Sequence, residues 1–182
     1  MSPVTALAAL AAGAPAETIW VNESPSNRPA FHDQIRIDRP GSFLFTAGGG
    51  LGFGLPAAVG AQLGRPSRPV VAVIGDGSMQ YAIPALWSAA AYRVPLTVVV
   101  LTNKEYAILK WFSQFENAAG VPGLDIGGLD ICAIARGYGV AATHVESREA
   151  LVSAIAIATA SDLPMLIEVP VSTVLPSLEE SR

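Results

Sequence analysis

The sequence predicts an α/β fold, a six-stranded, mainly parallel sheet with helices on both faces. Short β-branched runs alternate with longer helical patterns along the chain, the signature of strand–helix–strand crossovers. Two of those runs, Val70-Val-Ala-Val-Ile74 and Val98-Val-Val-Leu101, are continuously apolar, as strands covered on both faces must be. At 182 residues, against about 150 per domain, there is room for one such unit with a sizeable core but not for two complete domains.

Taken in order, Met1–Ala16 is rich in alanine and leucine with no positively charged stretch before its apolar part, so a short amphipathic helix is expected and not a signal peptide. The runs Thr18–Asn22, Phe43–Thr46, Val70–Ile74, Leu96–Leu101, Val140–His144 and Met165–Val169 are the six strands. Helical spacing fills the intervals near Pro29–Ile37, Phe53–Leu63, Ile83–Tyr92, Tyr106–Phe115, Ile131–Tyr138 and Arg148–Ala160. The expected division is a helix or linker over 1–16, a binding domain over 17–171, and a tail over 172–182 that is polar from Ser177 onward.

Composition removes several function classes. Only 14% of residues are charged and 51% are hydrophobic, against about 25% charged in an average soluble domain, which points to a large interface. Eleven basic and fifteen acidic residues give a net charge of −4 with no basic run, so nucleic acid is not an expected partner. The most apolar stretch, Val94–Leu101, contains Pro95 and Thr97 and falls short of the roughly 18 residues of a membrane helix. Cys132 is the single cysteine; it excludes an intramolecular disulfide and a cysteine-cluster metal site, fits a reducing, cytoplasmic setting, and reads as a small core residue. His32 and His144 read as surface or packing histidines.

In such sheets, ligands bind beyond the carboxyl ends of the strands. Three segments there are unusual: Gly48-Gly-Gly-Leu-Gly-Phe-Gly54, Gly75-Asp-Gly-Ser78 and Thr102-Asn-Lys-Glu-Tyr106. Gly75 and Gly77 let the backbone turn sharply around Asp76 and leave N–H groups open. Asn103 follows 27 positions after Asp76, the length of a helix, a strand and two short loops, so adjacent strand ends would bring the two together. One carboxylate, one amide oxygen and a backbone carbonyl form an incomplete oxygen shell that suits Mg²⁺ completed by phosphates and water. Ser78 falls where the next helix would begin, so its hydroxyl and the first helical N–H groups could hold a phosphate oxygen. Gly-Asp-Gly by itself reads equally as an ordinary turn and helix cap; Asn103 and the upstream glycine run carry the cofactor reading.

Gly75-Asp-Gly-Ser78 followed by Asn103 resembles the thiamine-diphosphate signature. With Ala47-Gly-Gly-Gly-Leu-Gly-Phe-Gly-Leu-Pro-Ala57, Ala85-Leu-Trp-Ser-Ala-Ala90, Trp111-Phe112 and Val121-Pro-Gly-Leu-Asp125, the chain resembles the thiamine-diphosphate-dependent 2-oxo acid decarboxylases, most of all the benzoylformate decarboxylases. The resemblance runs from about Glu17 to Val171 and covers only the C-terminal third of such an enzyme, its diphosphate-binding domain. It implies that Asp76, Asn103 and the backbone carbonyl of Glu105 hold Mg²⁺, and that Gly77 and Ser78 contact the diphosphate. It further implies that Leu51 is an apolar prop beneath the bent cofactor, that Gly49 accepts the pyrimidine through its backbone, and that Tyr106 packs near the diphosphate. Ile108 and Phe112 would face the substrate. The implied reaction converts a 2-oxo acid such as benzoylformate to an aldehyde and CO₂, with the cofactor carrying the electrons and the protein supplying anchoring and a dry pocket.

The same resemblance implies that the catalytic glutamate and histidines lie on an N-terminal domain, in a longer protein or a separate chain, and that the assembly is a dimer or tetramer. Where the family offers a small hydroxyl residue to the diphosphate, this chain has Pro25 flanked by Ser24 and Ser26. Ile108 is larger than its family counterpart and should shrink the pocket, while Trp111 and Phe112 offer aromatic surface, although such a pair on an apolar helix belongs more often to a core than to a pocket. Two alternatives stay open. One is a dinucleotide-binding domain, since Gly52, Gly54 and Ala57 satisfy a loose G-x-G-x-x-A pattern with Asp76 downstream. The other is a non-catalytic assembly or regulatory subunit of the same fold. A nucleophilic role for Ser78 is set aside, because G-x-S-x-G is absent and no histidine stands in a triad-compatible segment.

Overall fold

A computed structural model of the chain describes residues 1–118 and 120–173; the polar segment from Ser177 lies outside them. Among the described residues the strands are β1 (Ile19–Glu23), β2 (Phe43–Phe45), β3 (Val70–Gly75), β4 (Leu96–Thr102), β5 (Ala141–His144) and β6 (Met165–Pro170). They form one sheet in the order β2-β1-β3-β4-β6-β5, and every pairing is parallel. The sheet is therefore wholly, not just mainly, parallel.

Strand alternation divides the core in two. Val70, Ala72 and Ile74 of β3 join one apolar layer, covered by α3 (Gly54–Gly64), α5 (Ala85–Ala91) and α7 (Ile131–Gly137). Val71 and Val73 join the other, under α1 (Pro3–Gly13), α2 (Arg28–Gln34) and α8 (Arg148–Thr159). The opening helix is part of that second layer: Ala6, Leu7, Ala9 and Leu10 are fully buried, and α1 packs on α8 and α2. Side-chain caps start three of these helices: Ser2 Oγ accepts the Thr5 N–H at 3.1 Å, Asp130 Oδ1 the Ala133 N–H at 2.8 Å, and Ser147 Oγ the Ala150 N–H at 3.2 Å. Cys132 is buried, as a small core residue should be, and burial pushes its thiol up to about 11, aided by the Glu168 carboxylate 3.3 Å away.

Several ends move from the expected places. The helix expected over Pro29–Ile37 stops at Gln34, because Ile35 turns extended (φ −99, ψ 116) and buries its side chain in the second layer. The Ile83–Tyr92 helix shortens to Ala85–Ala91, with Pro84 before it and Tyr92 closing it. A single helical turn, α4 (Asp76–Met79), starts at Asp76 rather than at Ser78, directly off the end of β3. Tyr106 lies outside α6 (Ala107–Phe115), at φ −83 and ψ 68. Both β3 neighbours end level with it, Glu23 pairing Ile74 and Gly75 pairing Leu101. The chain leaves β1 outward to β2 and returns across it to β3, so the crevice between the β1 and β3 ends is where a parallel sheet opens for a ligand.

Candidate functional site

A cavity of about 660 Å³ occupies that crevice, and the loops after β1, β2, β3 and β4 and the start of α6 line it. Asp76 is 5% exposed. Its Oδ1 accepts the Gly77 N–H at 2.9 Å, and its Oδ2 accepts the Asn103 N–H at 3.1 Å and the Lys104 N–H at 2.7 Å. Lys104 takes a left-handed conformation (φ 62), a cost of about 1–2 kcal/mol for a residue with a side chain. The two consecutive N–H groups that face one carboxylate oxygen lead directly into that turn. Burial pushes the Asp76 carboxyl up from its usual range, and the N–H bonds from Lys104, Gly77 and Asn103 oppose that push. A carboxylate has about four acceptor directions; three backbone donors leave room for a cation.

Asn103, Gly77 and Ser78 line the same cavity. Neither Gly75 nor Gly77 is at positive φ, so the glycines are not there to allow a sharp turn. What Gly77 permits is contact: a Cβ at that position would lie 2.4 Å from Tyr106 Cε1. The Tyr106 hydroxyl donates a long bond of 3.5 Å to the Gly77 carbonyl, and burial raises its phenol. The Glu105 side chain is committed elsewhere, to Lys110 Nζ and Thr173 Oγ1, and Lys110 holds it below the usual carboxylate range. Only its main chain is left to offer the cavity an oxygen.

The glycine run after β2 brings Gly49 and Leu51 to the cavity. Its amides do not wait for a phosphate: the Gly52 N–H donates to Glu23 Oε1 at 2.7 Å and the Gly54 N–H donates to Glu23 Oε2. That overturns the dinucleotide alternative, since the glycines that would have to meet a pyrophosphate already meet a carboxylate of the same chain. Ile108 and Phe112 form the α6 side. Trp111 and Phe112 are not core residues, for among α6 residues only Ala107 is buried; Trp111 stacks on Phe115 at 5.6 Å and meets Phe112 edge-on at 5.0 Å.

Sequence reasoning missed most of the contribution of β1. Asn22, Glu23 and Arg28 line the cavity, as do Ser24 and Ser26 on either side of Pro25. Asn22 Oδ1 accepts both the N–H and the hydroxyl of Ser24, at 3.0 and 2.6 Å, and Ser26 Oγ accepts the Ile108 N–H at 3.1 Å. The available signal was the polar run Asn22-Glu-Ser-Pro-Ser-Asn-Arg28, which begins in the last residues of β1 and continues past its end. His32, at the cavity rim, packs edge-on against Phe31 and Phe43, and His144 is exposed beside Glu146 and Glu168.

Residues 26–169 match the family described as thiamine pyrophosphate enzyme, C-terminal TPP binding domain. The chain is 52% identical over 176 residues to the benzoylformate decarboxylase of Pseudomonas aeruginosa, an alignment covering 97% of this chain and 33% of that one. Among solved structures it is similar to a thiamine diphosphate-dependent 4-hydroxybenzoylformate decarboxylase from Rhodococcus jostii, with TM-score 0.93 and 46% identity over 97% of this chain and 33% of that one. It is also similar to the benzoylformate decarboxylase of Polynucleobacter necessarius, with TM-score 0.94 and 38% identity over 98% and 34% of the two chains. The chain thus spans about a third of the length of these relatives. The wholly parallel sheet, the cavity at its switch point and the matched residues lead to one conclusion: this chain belongs to the thiamine pyrophosphate enzymes, as a C-terminal TPP-binding domain.

Proposed function

We propose that this chain is the diphosphate- and Mg²⁺-binding domain of a thiamine-diphosphate-dependent decarboxylase, a carbon–carbon lyase that converts a 2-oxo acid such as benzoylformate to an aldehyde and CO₂. The observation that carries the reading is the pairing of buried Asp76 with Asn103 at the ends of adjacent strands, both on the cavity wall. The donor set fits the group: one carboxylate, one amide and one carbonyl are hard oxygen ligands, too few to satisfy Mg²⁺ without phosphate and water. Among the described residues no cluster of three or more His, Cys, Asp or Glu offers a competing metal site.

In this reading Asp76, Asn103 and the Glu105 carbonyl hold the ion, and Gly77 and Ser78 hold the diphosphate. Tyr106 packs beside them. Gly49 meets the pyrimidine through its backbone and Leu51 supports the rings, while Ile108 and Phe112 face the substrate and keep water from it. Bound thiamine diphosphate supplies the electron sink for loss of CO₂. The binding unit is 17–171, with a helix within 1–16 before it and a tail over 172–182. Its partner is an N-terminal domain carrying the catalytic glutamate and histidines, in the same longer protein or a separate chain. The assembly is a homo-oligomer, dimer or tetramer, supported by exposed apolar residues such as Trp87, Tyr92 and Leu63. A cytoplasmic setting without nucleic acid or membrane partners is part of this reading; the net charge is −4, and among the described residues no helix is long and apolar enough to cross a membrane.

Calorimetric titration of thiamine diphosphate, with Mg²⁺ and with the ion chelated, tests the reading. Saturable binding that needs Mg²⁺ is expected, and Asp76→Ala should weaken it by about 100-fold or more. An Asp76→Ala protein with unchanged affinity would sink the proposal.

A further inference from the structure

Glu23 closes β1 with 4% exposure, and a buried carboxylate must find partners for its charge. Among the described residues no cation is paired with it. Its partners are instead two main-chain N–H groups, of Gly52 and Gly54, 29 and 31 residues further along. Charge-assisted bonds of this kind are stronger than neutral ones. Gly54 is shaped for the contact: a Cβ there would stand 2.9 Å from both the Cβ and Oε2 of Glu23 and 2.5 Å from Ile74 Cδ1. The rest of the loop has little to hold it. Gly48, Gly49 and Gly50 have open space where a side chain would be, and Gly49 and Gly52 sit at φ 72 and 97. Within the loop itself, the Gly49 N–H reaches Thr46 O at 3.3 Å.

The geometry points to Glu23 as a positioning residue: its carboxylate ties the glycine loop to the end of β1 and so sets where Gly49 and Leu51 stand in the cavity. The inference rests on the reading above for what those two residues meet, the ring portion of the cofactor. Asp76 and Asn103, which serve the diphosphate end in that reading, are held by a different set of bonds. Losing Glu23 should therefore separate the two ends of one ligand.

The test compares wild type with Glu23→Gln, which keeps the shape but sets an NH₂ donor against one of the two N–H donors. Calorimetry is run with Mg²⁺-thiamine diphosphate and with Mg²⁺-pyrophosphate, and amide hydrogen exchange is followed at Gly52 and Gly54. Thiamine diphosphate affinity should fall by about tenfold or more, while pyrophosphate affinity stays within about twofold. Exchange at the two glycines should accelerate while that of β3 and β4 stays unchanged. Equal loss of both ligands would mark a general structural role and overturn the inference, as would exchange that does not respond. Wild-type protein that binds neither ligand overturns the cofactor reading and this inference with it, whereas a failure confined to Glu23→Gln leaves that reading standing. Should Glu23→Gln not fold, Glu23→Asp carries the same comparison, with the charge kept and the carboxylate drawn back by one methylene.

Discussion

The two walls of the cavity are built differently. At the β3 and β4 ends, Asp76 is 5% exposed and three main-chain donors fix both of its oxygens. Along α6, Phe112 is 49% exposed and only Ala107 of the helix is buried. The first wall inherits its geometry from the sheet, because its donors are backbone groups next to paired strands. Along the second, Trp111 packs on Phe112 and Phe115. The wall at the β3 and β4 ends is fixed by main-chain bonds beside the sheet, and the α6 wall is not.

The sharpest challenge to that contrast is Gly77→Ala. The added methyl would lie 2.4 and 2.7 Å from two Tyr106 ring atoms, an overpacking expected to cost about 1–3 kcal/mol in a denaturant melt. Mg²⁺-thiamine diphosphate affinity should fall about tenfold with it. Wild-type stability and affinity would mean that the fixed wall is not tightly fitted. On the other wall, Phe112→Ala should change unfolding free energy by no more than about 0.5 kcal/mol and cofactor affinity by less than about twofold. A loss on the scale of Gly77→Ala would erase the distinction.

The smallest effect belongs to His144, which is outside the cavity lining and so gives a baseline for both walls. A hydrogen bond to Glu146, with a further one to Glu168, raises its imidazole above the ordinary 6.5. A folded value above the unfolded one stabilises most below pH 6.5, and that contribution is lost as pH rises through the raised value. Melting temperatures of wild type should therefore decline above pH 6.5 relative to His144→Gln. The difference amounts to well under about 1 kcal/mol, because the pair is solvent-exposed. Superimposable pH profiles would remove the ion pair from the account, and a change in cofactor affinity would show that the baseline is not remote.

What the sequence disclosed follows the range of the interactions involved. β3 and β4 were legible because burial on both faces demands unbroken apolar runs, and Val70–Ile74 and Val98–Leu101 are such runs. The end of α2 was not, since Ile35 leaves the helix to reach a core that helical spacing alone does not describe. Asp76 and Asn103 could be paired in advance, because strand order brings consecutive strand ends together. Glu23 could not: its partners lie across a loop, and nothing local to the strand end announces them. Gly77 reads in the sequence as a residue of easy φ, whereas its value in the fold is the space it leaves to an aromatic ring 29 residues away.

A wholly parallel sheet has no hairpins, so every strand waits for a crossover before it finds its neighbour. Asp76 meets amides 27 and 28 residues downstream, and Ile108 meets a serine 82 residues upstream. Long closures of this sort slow folding and come late. A nascent chain that has emerged only as far as β3 carries the Asp76 carboxylate with neither of the two donors, Asn103 and Lys104, that steady its Oδ2.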